Sequence, residues 1–277
     1  MTPLLVFFMV IFSGVHGFSL HRTSARTSLC LPSHERSSSL YASFFDGFAD
    51  SIKQLASSAQ KPTQPAKDMS IYDEDIDAAK TVLLRAVKKE ADPGDVVMQL
   101  QSLEKLMRKK NTLDECATSR ETLEALNGAW RLVFTTGTVD TQKKLGKINY
   151  FPIKAVQCFN TETMAISNGI YVGDFAVLKF FGEFSWNLKA RKLEFDFDKI
   201  KILSAFDIAL KSGEAARIGS STGLGSEGNV ELAKKDKSAF FNWISADNDI
   251  ATARGGGGGL ALWRRDPDMS TSEDIFL

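Results

Sequence analysis

From Gly128 onward the chain alternates apolar and polar positions. Trp130, Leu132 and Phe134 fall on one face of an extended segment, and Arg131, Val133 and Thr135 fall on the other. The stretch 175–188 repeats the code. Ala176, Leu178, Phe180, Phe184, Trp186 and Leu188 share a face broken only by Gly182, and Lys179, Phe181, Glu183, Ser185 and Asn187 take the opposite one. After a turn at Lys189-Ala190-Arg191, Leu193, Phe195 and Phe197 oppose Lys192, Glu194, Asp196 and Asp198. Further strands are predicted over 239–245, 249–254 and 260–264. All four tryptophans (Trp130, Trp186, Trp243, Trp263) lie in this β region, residues 127–266. A long antiparallel sheet with one aromatic face hides it against a second sheet or by closing on itself. The region has room for roughly eight strands, the size at which a closed barrel either is filled by its own side chains or holds one small ligand. The expected fold is therefore mainly β, an antiparallel barrel preceded by a small helical region.

That helical region is residues 68–126. Ile76, Ala79, Leu83 and Ala86 follow helical spacing behind Ser70 and Asp73, which resemble a capping box. Acids open this helix and Lys88 and Lys89 close it, as the macrodipole favours. Pro93-Gly94 is expected to end it, with Asp95 capping a second helix that carries Leu100, Leu103 and Met107. Ser119 is expected to cap a third, with Leu123 and Leu126.

The first forty residues have a different character. Leu4 to Phe12 is an apolar run too short to span a membrane, followed by Val15-His16-Gly17 and a Phe at position 18. Residues 18–40 contain Arg22, Arg26 and Arg36, many Ser and Thr, and one acid, Glu35. A signal peptide (1–17) followed by a transit segment (18–40) resembles the bipartite plastid presequence of algae with secondary plastids. Residues 41–67, with Pro62 and Pro65, read as a flexible linker, and 267–277 as a disordered tail.

Composition then narrows the chemistry. All three histidines (His16, His21, His34) lie in the expected presequence, so the mature chain would have no imidazole to serve as base or metal ligand. Cys116 and Cys158 would remain, too few and too far apart for a disulfide framework or a zinc site. With 31 basic and 33 acidic residues left, the chain is near neutral and offers no footprint for nucleic acid. Gly223-Leu224-Gly225-Ser226-Glu227-Gly228 fits a dinucleotide fingerprint in letters only, because it lies in a Gly/Ser loop (213–228) with no strand–helix context. Gly255 to Gly259 lacks the Lys and Ser/Thr of a phosphate loop and reads as a hairpin connection. No cofactor, metal site or catalytic residue is expected.

Gly128-Ala129-Trp130 at the first barrel strand resembles the lipocalin signature, in which the Trp closes the barrel floor beneath an Arg from near the last strand. That resemblance makes Gly128, Trp130 and Arg254 the structural closure, with Arg264 as second candidate. Leu126-Asn127-Gly128-Ala129-Trp130-Arg131-Leu132-Val133-Phe134-Thr135-Thr136, together with Ala246 to Gly255 and Gly258 to Trp263, resembles the plastid lipid-associated protein family, also called plastid fibrillins. Phe134 stands where the family has Tyr, and Thr136 where it has Ser.

The resemblance implies a lipocalin-like barrel at thylakoids or plastoglobules that binds lipids, carotenoids or prenylquinones. The expected partners are a hydrophobic small molecule and, peripherally, a membrane. The residues expected to line the interior are Trp130, Leu132, Phe134, Leu178, Phe180, Phe184, Trp186, Leu193, Phe195 and Phe197. Two alternatives stand beside this non-enzymatic reading: an enzyme acting on a carotenoid or other lipid, and a scaffold whose helices dock plastid enzymes at the membrane.

Overall fold

A computed structural model describes residues 70–137, 149–222 and 227–270, all within the compact unit Met69–Leu277. The expected presequence, the linker and residues 271–277 lie outside the described residues.

Among the described residues three helices come first: α1 (Ser70–Val87), α2 (Pro93–Leu113) and α3 (Ala117–Leu126). Pro93-Gly94 opens the second helix rather than ending the first. The Asp92 carboxylate accepts from Gly94 N at 2.7 Å, and Pro93 sits in the first turn, where its missing N–H loses no intrahelical bond. Asp95, the expected cap, lies inside that turn. Ser119 is likewise interior to α3, which follows Cys116 at φ +70°. Its hydroxyl accepts from Trp186 Nε1 at 3.1 Å, so it ties the helix to the sheet instead of capping it.

Nine strands follow: β1 (Gly128–Thr135), β2 (Lys154–Asn160), β3 (Ala165–Val172), β4 (Phe175–Asn187), β5 (Lys192–Ile202), β6 (Phe206–Ala209), β7 (Ala239–Ala246), β8 (Ile250–Gly255) and β9 (Leu260–Arg265). Eight of them close an antiparallel ring in the order β1-β2-β3-β4-β5-β7-β8-β9, with β9 returning to β1. The sheet thus closes on itself, one of the two options the alternation leaves open, into the lipocalin-like barrel that the resemblance implies. β6 stands outside the ring. β5 pairs with β7 over Lys192–Phe195 and with β6 over Lys199–Ile202, so it leaves β7 partway along its length. The gap between β6 and β7 is bridged by two short helices, α4 (Glu214–Thr222) and α5 (Glu227–Ala233), where a Gly/Ser loop was expected. Residues 223–226 lie outside the described residues. The start of the expected tail forms a helical turn, α6 (Pro267–Ser270), whose Met269 packs on the outer wall near Cys158 and Tyr171.

Of the four register shifts in the barrel ladders, those in β1 and β5 bear most on which predicted side chains enter the barrel. In β1, Leu132 faces Trp263 and Phe134 faces Leu262 on β9, so Val133 is an extra residue. The shift turns Phe134 outward, correcting its expected place in the interior. Phe134 is fully buried under α1 and α2 with Ile244, Ile250, Leu260 and Leu262, edge-on to Tyr150 at 5.4 Å. Thr135 takes the inward position instead. In β5, Lys199 faces Phe181 and Phe197 faces Gly182, leaving Asp198 extra. The inward phase therefore passes from Leu193, Phe195 and Phe197 to Ile200 and Ile202. Gly182 stands against this kink, and a Cβ there would lie 1.9 Å from the carbonyl oxygen of Asp196. The one break in the aromatic face of β4 is thus a steric requirement.

Candidate functional site

The site is built on a sealed floor. Gly128 holds φ +113°, a conformation that costs glycine little, and turns the chain from α3 into β1. Trp130 is then wholly buried (0 % exposed), and its Nε1 donates to Leu126 O at 2.8 Å. The guanidinium over its ring belongs to Arg265, 4.3 Å from the ring centroid. Arg265 also donates to the carbonyls of Ala125 (2.6 Å), Asn127 (2.9 Å), Asn248 (2.9 Å) and Asp247 (3.1 Å). One planar fork therefore ties the end of α3 and the β7–β8 turn to the ring it covers.

Arg254 does not close the barrel. On β8, Ala251 and Ala253 point inward, so Arg254 points out and pairs with Glu104 of α2, Nη2 to Oε2 at 2.5 Å. The hydrogen bond from Arg254 is the main influence holding the Glu104 carboxyl below the usual carboxylate range. Arg264 also alternates outward. The inward row of β9 is Ala261, Trp263 and then Arg265.

Above the floor the lower half of the barrel is solid. Phe159 meets Phe184 at 5.9 Å and Trp243 at 5.5 Å, both edge-on, and Trp130, Trp186 and Leu193 belong to the same cluster. The upper half is hollow. A cavity of about 310 Å³ is lined by Leu132, Phe180, Phe195, Phe197, Phe241 and Trp263, with Ala155 and Ala261 on the wall. Phe195 stacks on Phe241 at 5.3 Å and forms one side. Ala215, Ala216 and Gly219 of α4 and Ala233 of α5 roof it, and exposed Ser212, Asp236, Lys237 and Ser238 edge its mouth. Gly213 makes the roof possible, because a Cβ at its φ of +77° would stand 2.8 Å from the Ala233 methyl.

Of the residues expected to line the interior, Leu132, Phe180, Phe195 and Phe197 surround this cavity. Trp130, Leu178, Phe184, Trp186 and Leu193 pack in the same apolar cluster without bordering the space, and Phe134 lies outside the barrel. The alternation also gave no notice of two amides on the cavity wall, Gln157 and Asn168.

Nucleophilic and metal chemistry find little here. Among the described residues no three His, Cys, Asp or Glu side chains gather to hold a metal. Cys158 faces the outer wall, and burial pushes its thiol up to about 11, so it stays protonated at neutral pH. No described helix is long and apolar enough to cross a membrane.

Residues 79–262, from within α1 to β9, match the PAP_fibrillin family model. The chain belongs to the PAP_fibrillin family. This is the plastid lipid-associated family that the stretch around Trp130 resembles, and the match runs from β1 through β8 and into the first half of β9. Within the PAP_fibrillin match lie Gly128, Trp130 and the phenylalanines of the cavity wall, while Trp263 and Arg265 fall just beyond it. No curated protein and no solved structure matches the chain.

Proposed function

We propose that this protein holds an apolar plastid molecule, a lipid, carotenoid or prenylquinone, in the upper half of its barrel without transforming it. The observation that carries the reading is the hollow itself. At about 310 Å³ it sits near the lower end of the ~300–1,000 Å³ typical of small-molecule sites, and its wall is mainly aromatic and aliphatic. That volume suits one ring or a short isoprenoid segment, with the rest of a long molecule emerging at the mouth. Burial contributes roughly 25 cal/mol per Å² of apolar surface removed from water, before ordering costs. The enzymatic alternative gains no support from the lining. Its titratable members Asp196, Asp236 and Lys237 are solvent-exposed, and the chain's histidines all lie within residues 1–40.

Filling the space tests the reading. Ala261→Phe projects a ring into the cavity from a wall position and is expected to lower affinity for a fluorescent isoprenoid probe at least about tenfold. The fold should persist by far-UV circular dichroism. Undiminished probe binding by the folded variant would refute the pocket.

Association with a lipid surface is supported by exposed apolar turns at the same end of the barrel as the cavity. Val172 and Phe175 at the β3–β4 turn, and Leu203, Phe206 and Ile208 around the β5–β6 turn, are all exposed, Phe206 by 63 % and Phe175 by 51 %. The two turns touch, with Leu203 N donating to Val177 O at 2.9 Å. They stand at the end of the barrel where the cavity opens. Exposed aromatic tips at that end would hold the open end of the barrel against a bilayer, shortening the path of an apolar cargo through water. The double variant Phe175→Ser, Phe206→Ser is expected to abolish flotation with phosphatidylcholine vesicles while leaving the melting temperature within a few degrees. Unchanged flotation would reject this surface. The proposal places the protein at thylakoids or plastoglobules, reached through the bipartite presequence, and plastid fractionation tests that placing.

A further inference from the structure

We infer that Gln157 and Asn168 form a polar anchor for one uncharged hydroxyl group at the buried end of the ligand. The inference rests on the reading of the cavity as a ligand site and names the chemistry that site selects. On β2, Ala155, Gln157 and Phe159 share the inward phase, while Val156 and Cys158 pack on the outer wall. On β3, Ile166, Asn168 and Ile170 point inward. Gln157 and Asn168 are directly paired across the two strands, so their amides stand side by side. Gln157 also pairs with Trp130, and Asn168 with Phe180, which places the two amides at mid-barrel, at the base of the hollow above the packed floor.

Gln157 is 7 % exposed, and its Oε1 is buried without a hydrogen-bond partner. A polar atom in that state loses its water and gains nothing, unless something that binds there supplies the missing bond. The indole nitrogen of Trp243 is also unpartnered, but it lies in the packed cluster and does not border the cavity. Gln157 therefore has the one unpartnered buried atom on the cavity wall among the described residues.

The ligand group follows from the donor and acceptor inventory. An amide oxygen needs a donor, and an amide NH₂ beside it needs an acceptor. A hydroxyl supplies both at once. An ether supplies no donor, and an alkane supplies neither. A carboxylate would need a cation, and the lining's single cationic side chain, Lys237, is exposed at the mouth. The anchor would fix the ligand's depth and direction: hydroxyl down at the amides, apolar body against Phe180, Phe195, Phe197 and Trp263, remainder toward the mouth.

Three probes with one isoprenoid chain test this by isothermal titration calorimetry on the full chain: farnesol, farnesyl methyl ether and farnesoic acid. The wild-type protein is expected to bind farnesol about tenfold more tightly than either of the others. Gln157→Leu is expected to erase that preference by weakening farnesol alone, with the methyl ether bound at least as well as before. Gln157→Met serves as a second variant should the leucine disturb folding, and the wild-type ranking decides the matter without any variant. Equal binding of farnesol and its ether, tightest binding of the acid, or a loss shared by all three probes in Gln157→Leu would overturn the anchor while leaving the pocket standing. Failure of all three to bind would remove the pocket reading and this inference with it.

Discussion

Replacing Trp130 by alanine is expected to destabilise the protein by about 3–5 kcal/mol, the range for truncating a large buried aromatic. The loss has three sources. The indole is wholly buried, so truncation leaves a void at the floor. Its Nε1 no longer donates to Leu126 O, and that carbonyl ends α3. Arg265 loses the ring beneath its guanidinium, a contact of ~0.5–2 kcal/mol depending on desolvation, and is left holding four carbonyls over empty space. Urea unfolding gives the number. A loss under about 1 kcal/mol would mean the floor collapses around the gap and the closure is dispensable. Trp130→Phe, which keeps a ring but strands the Leu126 carbonyl, should fall between the two.

Gly182→Ala is expected to cost more than its single methyl suggests, about 3 kcal/mol or more, the upper range for overpacking. The added carbon would sit 1.9 Å from Asp196 O and 2.8 Å from Phe197 Cα. Both are backbone atoms of the paired strand, so no side-chain rotation relieves the overlap. β4 and β5 would have to separate where Asp198 bulges, and this is the longest pairing in the barrel, from Leu178 with Ile202 to Asn187 with Lys192. The same chemical change at Gly256, where the neighbour at 3.1 Å is the Phe240 ring, should be far milder because a side chain gives way. A fall of less than about 1 kcal/mol in Gly182→Ala by urea unfolding would show that the strand kink is not rigid.

β7–β9 could be read as strands even though small Ala251, Ala253 and Ala261 face inward and apolar Ile244, Ile250, Leu260 and Leu262 face outward under the helices. β4 and β5 were legible because most of their inward residues are large and most of their outward ones polar or charged. β2 and β3 were not, for two physical reasons. Their outer faces are covered, Val156 and Cys158 packing with Tyr171 and Met269, so no polar phase marks the outside. Their inner faces carry the amides Gln157 and Asn168 between Ala155, Phe159, Ile166 and Ile170, so the apolar phase on the inside is interrupted. The feature that hid these strands is the one that gives the cavity its polar base. Phe134 was misplaced because strict alternation has no term for a bulge at Val133. Arg265 was within reach: it lies two residues beyond Trp263 and so shares its face, whereas Arg264 cannot, and the phase of β8 puts Arg254 outside with Glu104. Pro93-Gly94 has the composition of a helix end, yet proline is better suited to the first turn of α2, where φ is already set and no N–H is needed.

The early parting of β5 from β7 has a consequence for how the molecule breathes. Beyond Phe195 and Ala239 the two strands no longer share ladder bonds, and the two roof helices stand in the gap. The β5–β7 ladder thus opens at the hollow end of the cylinder, while the end stapled by Arg265 is bonded strand to strand. If the barrel holds a guest as proposed, opening along that seam would admit or release it without disrupting the rest of the fold, and exchange of cargo and global unfolding would then be governed by separate free energies.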